Sequence, residues 1–295
     1  MKGRYGFNFF DIFVIVFCVV FAFICIYPMW YVLVVSLTPY DKFIQQDVVL
    51  LPPFPPDPQY YMGILANPTF KNSLLISAAK TLLATTLTLI VTSMMAYGVS
   101  KTHIKGMKLI NVLVVLTMFF SGGLIPTYFL YNSLGLIKTF WVMVLPFGLH
   151  ISYFIIMRNY FSYAVSLELE DAAAIDGANQ VTLYFRIVMP LSMSMIAAIG
   201  LFVAVAQWND YYSFMMFVNR PALQPYVWVL RRALTEQSFT QTMTNQAQEL
   251  LDVPCVPPFA LRMATIVCAM VPIMCVYPFL QKHFAKGILL GAVKG

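Results

Sequence analysis

The chain alternates long apolar stretches with short polar clusters, and the lengths of those stretches set the first expectation. Charge-free windows cover residues 12–40, 81–100, 109–137, 139–157, 187–209 and 263–281. A helix rises about 1.5 Å per residue and the hydrocarbon core is about 30 Å thick, so roughly 20 apolar residues cross it. The pattern predicts an all-α, polytopic membrane protein with six transmembrane helices. The longest windows are upper limits. In the third, Gly122, Gly123 and Pro126 interrupt the run, so its helix stops early and leaves residues 127–137 as an interfacial connector.

The polar intervals differ in character. Residues 41–69 include five prolines between Pro52 and Pro58, which force a stiff, extended segment suited to a spacer or docking surface. Residues 210–262 form the longest polar interval. It has room for a short helix but not for a span, and its length points to function or disorder.

Composition agrees with the pattern. With 60% hydrophobic residues and a mean hydropathy of +0.78, the chain has too little polar surface to cover itself in water. An even number of spans puts both termini on one side. Cytoplasmic termini place ten basic residues inside against eight outside, and the compact basic interval 101–108 supports that orientation. Residues 41–69 and 210–262 are then extracytoplasmic. The net charge of +6 becomes a positive-inside signature; no basic-aromatic run suggests nucleic acid. Lys2 and Arg4 before an apolar run resemble a signal peptide, but the run is too long and lacks a small-residue cleavage site, so it reads as an uncleaved first helix.

Catalytic machinery is not expected. The patterns GxxxxGK[ST], HExxH and GxSxG do not occur. Cys18, Cys25, Cys268 and Cys275 fall in the spans and Cys255 stands alone, without metal or disulfide spacing. His150 is an intramembrane ionisable residue, read as a neutral histidine hydrogen-bonded within a bundle, with a ligand or proton relay as the functional alternative. Lys80 precedes the second window and is expected to snorkel outward, the alternative being a wet cavity.

One polar interval is acidic. Only 10% of residues are charged, yet Glu168, Glu170, Asp171 and Asp176 fall within nine positions. Ser166 can cap a helix there, the carboxylates suit the positive end of its dipole, Ala172–Ala174 propagate it, and Gly177 can end it. A plain connector needs no apolar positions, yet this one carries Leu167, Leu169 and Ile175. Nothing else in the chain is available to cover them, which implies a soluble partner.

Asp171, Ala172, Ala173, Gly177, Ile187 and Pro190 have the spacing of the EAA loop: E-A-A, three residues, G, nine residues, I-x-L-P. The chain therefore resembles the membrane subunits of bacterial ABC importers. The wider context, including GGLIPTYFLYNSLGL, IIMRNYF, AVAQWNDYYSFMMFVN and the C-terminal segment, is similar to the carbohydrate-uptake, maltose-type branch and its LplC/YtcP-like group. Asp171 stands where the first glutamate is usual, Met189 replaces the leucine before proline, and Val165-Ser166 replaces a frequent proline. Charge, bulk or capping ability is kept at each.

The resemblance implies a type I ABC importer permease fold, residues 1–295 forming a single transmembrane domain with a cytoplasmic coupling loop at 163–190. It implies a multi-pass protein of the bacterial plasma membrane. It also implies a homologous second permease, two copies of a cytoplasmic ATPase subunit carrying ATP and Mg, and an extracytoplasmic solute-binding protein; this chain holds no cofactor of its own. In that arrangement Leu169, Ala172 and Ala173 lie against the ATPase. Glu170, Asp171 and Asp176 make charge-assisted contacts with it or orient the loop, and Gly177 permits the turn. The tail at 286–295 either reaches the ATPase or is a disordered end. Gln207, Trp208, Asn209, Asp210 and Tyr211 read as substrate pathway, outer gate or an interfacial aromatic belt. The rival classes are a proton- or sodium-coupled secondary transporter, a receptor or scaffold, and the same architecture with a non-sugar substrate.

Overall fold

The computed structural model describes residues 9–39, 42, 51–165, 167–251 and 258–292, and the described regular structure is helical. The expected cap Ser166 and the lone Cys255 lie outside the described residues. The helices are α1 (Phe9–Ser36), α2 (Gln59–Ala66), α3 (Pro68–Ser100), α4 (Met107–Leu116), α5 (Leu124–Ser133), α6 (Ile151–Ala164) and α7 (Leu167–Ile175). They continue with α8 (Gln180–Leu191), α9 (Met193–Asn209), α10 (Tyr226–Thr235), α11 (Gln237–Leu251) and α12 (Pro258–Ala292).

Among the described residues four helical stretches are long and apolar enough to cross a membrane: Phe9–Ser36, Pro68–Ser100, Phe140–Ala164 and Pro258–Cys275. The pair α8–α9, bent by 81°, makes a fifth if it is one span. The 109–137 window does not form a single helix. It gives α4 and α5, each of 10 residues, separated by the stretch holding Gly122 and Gly123. Gly123 has φ +79, a left-handed conformation that stops the helix where an L residue would be strained. The 139–157 window begins as two short 3-10 turns, Phe140–Met143 and Leu145–Phe147, before α6. Where the sequence leaves room for one short helix, the described part of the interval 210–262 holds α10 and α11, a π-turn at Phe214–Val218, a 3-10 turn at Pro221–Leu223 and the start of α12.

The chain divides into two units. The first comprises residues 1–68 and 230–270. Its α1 is exposed along nearly its whole length, becoming buried only at Val34, Val35 and Ser36. There the Thr38 hydroxyl donates to the Val34 carbonyl (2.7 Å) and the Asp57 N–H to the Leu37 carbonyl (3.0 Å), tying the proline-rich stretch to the helix end. Helix α2 packs on α11 through Tyr60, Ile64, Met243 and Ala247, and Asn67 donates to the Gln246 amide oxygen at 2.8 Å.

The second unit comprises residues 69–229 and 271–295. Its spine is α3, which reverses the amphipathic plan of a water-soluble helix. The buried stripe is small and polar: Ser73, Ser77, Lys80, Ala84, Thr88, Thr92 and Ala96. Leu75, Leu82, Ile90 and Met94 face outward. Small residues let neighbouring chains come close, and their hydroxyls bond to the helix's own carbonyls, as Thr88 does to Ala84 (2.7 Å) and Ser73 to Phe70 (2.8 Å). Around the C-terminal part of α3, Tyr97, Phe154, Met157, Phe161, Leu183, Tyr184, Val188 and Ile199 form one apolar cluster. A second cluster joins Val142 and Met143 to Phe214, Phe217 and Val218.

Lys80 corrects the expectation of snorkelling. Its side chain is 1% exposed and its ammonium lies 2.5 Å from Asp210 Oδ2. It also donates to the Asp210 backbone carbonyl at 2.7 Å. An ammonium so deep in apolar surroundings is held by a counter-ion and by hydrogen bonds, not by reaching water.

Candidate functional site

Two places concentrate polar groups in the second unit: the acidic helix α7, and the end of α9. Helix α7 ends as its glycine predicts. Gly177 has φ +80. Its N–H donates to the Ala174 carbonyl at 3.0 Å and the Ala178 N–H to the Ala173 carbonyl at 2.9 Å, the pair of bonds that defines a Schellman stop. No heavy atom lies within 4 Å of a Cβ built at Gly177, so the requirement there is purely one of backbone conformation.

The faces of α7 are divided differently from the expectation. Ala173 is 6% exposed and belongs to this chain's own core, and Leu169 is half-buried on the same side. The Ala173 side chain therefore faces this chain's own core and not outward as expected from the sequence, while Leu169 presents only part of its own. Glu168, Asp171, Ala172 and Ile175, spaced at i, i+3, i+4 and i+7, make the exposed face, with Asp176 beside them. Ile175 is 86% exposed.

Glu170 faces inward too. One carboxylate oxygen lies 2.8 Å from Lys101 Nζ and the other accepts from the Tyr97 hydroxyl at 3.1 Å. Lys101 also donates to the Gln180 amide oxygen at 2.9 Å and sits 4.4 Å from the centroid of the Tyr97 ring. Through this lysine the end of α3 holds α7 and the start of α8 together. Burial works against the Lys101 ammonium, but Glu170 and Tyr97 outweigh it and raise its pKa above the ordinary lysine value. Sequence reasoning missed Lys101 and Tyr97. Their i, i+4 spacing at the end of a span, opposite an acidic loop, was the available signal.

Helix α8 starts on Asn179, whose side chain accepts from the Thr182 N–H at 2.8 Å. It then widens into a π-turn at Tyr184–Val188. Pro190 has no N–H to offer the Arg186 carbonyl, so the regular ladder cannot run through and the wider turn absorbs the mismatch. Ser192 then breaks the helix, giving the 81° bend into α9.

At the far end of α9, Gln207 and Trp208 are 4% and 7% exposed, Asp210 and Tyr211 are half-buried, and Asn209 faces out. Trp208 is thus a packed residue and not a surface anchor. Asp210, besides holding Lys80, accepts from the Ser213 N–H at 3.2 Å and caps the next turn. Gln207 and Asp210 line a cavity of about 150 Å³ with Thr88, Phe147, His150 and Tyr153. Among the described residues the His150 ring has no hydrogen-bond partner, contrary to the expectation. Its ring is exposed and lies 4.4 Å from that of Tyr153, and only its backbone N–H, 3.4 Å from the Thr92 hydroxyl, ties it to α3.

Comparison with known proteins adds four findings. The Bacillus subtilis (strain 168) protein YtcP, named as a polygalacturonan/rhamnogalacturonan transport system permease protein, is 38% identical over 296 residues, covering 100% of both chains. LplC of the same organism is 38% identical over 92% of this chain and 90% of its own. Among solved structures, a bacterial ABC transporter involved in the import of the acidic polysaccharide alginate matches with a TM-score of 0.81 at 28% identity, covering 95% of this chain and 99% of that one. Residues 107–290, which hold the anchored acidic helix, the bent arm and the polar end of α9, match the family described as the binding-protein-dependent transport system inner membrane component, and the chain belongs to that family.

Proposed function

We propose that this chain is the permease subunit of an ATP-driven, binding-protein-dependent importer for oligosaccharides, forming half of the translocation pathway. The reading rests on one observation above the others: α7 is fixed to its own chain on one side by Lys101–Glu170 and Ala173, and carries an isolated exposed apolar residue, Ile175, on the other. A helix so placed is a handle. A cytoplasmic ATPase dimer, with ATP and Mg on its own subunits, grips Glu168, Asp171, Ala172, Ile175 and Asp176. Because ATP binds the closed dimer more tightly, that differential affinity is carried through α7 and α8 to the spans. Glu170 and Ala173 position the handle; Gly177 ends it.

The remaining assignments follow from the same reading. The chain crosses the plasma membrane six times, with α4 and α5 together supplying the broken third span and both termini in the cytoplasm. Residues 163–190 are then the cytoplasmic coupling loop, and residues 41–69 and 210–262 face the binding protein. The exposed flank of α1 meets lipid and the second, homologous permease. The sugar class is supported by the substrates in the names of YtcP and the alginate transporter.

The test is purification of the tagged chain from its native cells in mild detergent, with bound proteins identified by mass spectrometry, beside an Ile175→Glu variant. Recovery of a second permease and an ATPase, with the ATPase lost from the variant, is the expected result. Recovery of the chain alone would replace the importer with an ion-coupled transporter.

A further inference from the structure

We propose that the cavity at the end of α9 is a subsite for an uncharged sugar ring, and that it selects neutral saccharides over uronates. The proposal rests on the importer reading above and specifies the substrate class of that site. Four observations carry it.

First, the Gln207 side chain is 4% exposed and its amide oxygen has no hydrogen-bond partner. A buried carbonyl left without a donor is costly. A sugar hydroxyl is a neutral donor that satisfies it. Second, the cavity is walled by aromatic groups: Phe147, Tyr153 and the exposed ring of His150 stand around Gln207 and Asp210. Aromatic faces with a few convergent polar atoms suit a ring that is apolar on its C–H face and polar at its rim.

Third, the walls are fixed before any ligand arrives. The Thr88 hydroxyl lies 2.6 Å from the Phe147 carbonyl, and the Thr92 hydroxyl lies 3.2 Å from that of Gly148, so α3 holds the 147–150 stretch in place. Preformed walls lower the ordering cost of binding. At about 150 Å³ the space suits a single ring and not a chain.

Fourth, the electrostatics are one-sided. Among the described residues no lysine or arginine lines the cavity, whereas Asp210 does. Lys80 is 1% exposed, and its ammonium is engaged with both the carboxylate and the backbone carbonyl of Asp210. The Lys80–Asp210 pair is neutral overall, so a uronate entering here finds no spare cation to offset the cost of stripping water from its own carboxylate. A hydroxyl donor meets two acceptors, Gln207 and Asp210. The cavity is therefore selective by charge as well as by shape, and in the direction opposite to the acidic saccharides named for YtcP and the alginate transporter.

The experiment is uptake by the complete complex, reconstituted in vesicles with its binding protein. Two probe sets are compared: neutral trisaccharides built from glucose, galactose or arabinose, and trigalacturonate. Wild type is measured beside Gln207→Leu and His150→Phe, with co-purification of the ATPase as the assembly control. The expected result is uptake of a neutral trisaccharide, with its apparent KM raised about threefold to tenfold in Gln207→Leu, the loss of one hydrogen bond. His150→Phe tests the same site from an exposed position should Gln207→Leu fail to assemble. Neutral uptake with an unchanged KM in both variants overturns the subsite. Uptake confined to trigalacturonate overturns the charge selection while leaving the importer intact. Absence of uptake for every saccharide, from a complex that hydrolyses ATP, removes the sugar reading itself.

Discussion

The Lys80–Asp210 pair is the most consequential single contact in the second unit. It joins the middle of α3 to the end of α9 across 130 residues of sequence. Removing one partner leaves the other charge buried without compensation, which costs about 3–5 kcal/mol. Lys80→Met and Asp210→Asn are each expected to lower the yield and thermal stability of the assembled complex strongly. The double variant, which leaves no ion in the interior, is expected to recover part of the loss. Melting of the purified complex, followed by size exclusion after heating, measures both effects. Loss in the double variant equal to the sum of the singles would show that the two residues act independently. The separation of 130 residues also explains why the pairing was not legible in the sequence. Lys80 was visible as an ion in an apolar helix, and Asp210 as part of a polar cluster, but nothing local connects them.

Lys101 makes a related prediction of opposite form. Its folded pKa lies above the ordinary 10.5. For a group raised in this way, the stabilisation is fully present below the unfolded pKa and is lost only as pH rises through the folded one. The Lys101–Glu170 clamp therefore keeps its ammonium charged throughout the neutral range. Coupled ATPase activity from about pH 7 to 9 is expected to show no step that disappears in Lys101→Met. The variant itself is expected to uncouple uptake from hydrolysis across that whole range. A transition in wild type that vanishes in Lys101→Met would contradict the assignment.

At the scale of elements, α7 shows which features a sequence makes readable. Its stop at Gly177 was legible because the requirement is local: a left-handed residue after an alanine-rich run. Its two faces were not. Which side of a short helix is inward depends on what reaches it, here Lys101 and Tyr97 from α3 and the core around Phe161 and Leu183. Leu169 and Ala173 were accordingly placed on the partner side, while Ile175 was correctly read as an apolar residue without cover. Gly177 gives the sharpest test at this scale. Since a Cβ there meets no neighbour, the cost of substitution is conformational. Gly177→Asn, which tolerates the left-handed region, is expected to keep most coupled transport. Gly177→Val is expected to lose about 1–2 kcal/mol of local stability and with it retention of the ATPase. Equal behaviour of the two variants in co-purification would separate the turn from coupling.

Over the whole molecule, the apolar windows were legible because burial in lipid demands length and composition alone. The breaks inside them were partly legible. Gly122 and Gly123 marked the interruption between α4 and α5, but Pro126 lies in the first turn of α5 and the expected connector from residue 127 is helical as far as Ser133; the bend at Ser192 has no comparable local mark and follows from the π-turn and Pro190 before it. The proposed topology predicts a definite labelling pattern. Single cysteines placed at Thr102 and Asp176 are expected to react with a membrane-impermeant thiol reagent only after the cells are opened. Single cysteines at Gln59 and Thr235 are expected to react in intact cells. The reverse pattern would invert the chain and place α7 beyond reach of a cytoplasmic ATPase.

The bend also makes α8 and α9 a crank. Helix α9 has 17 residues, about 25 Å of rigid rod at about 1.5 Å per residue. A thrust on α7, passed along α8, reaches the near end of that rod at 81° and so acts as torque. Gln207 lies near the opposite end, where a small rotation gives the largest displacement, so under the proposed coupling a stroke of the ATPase would be geared to the cavity mouth.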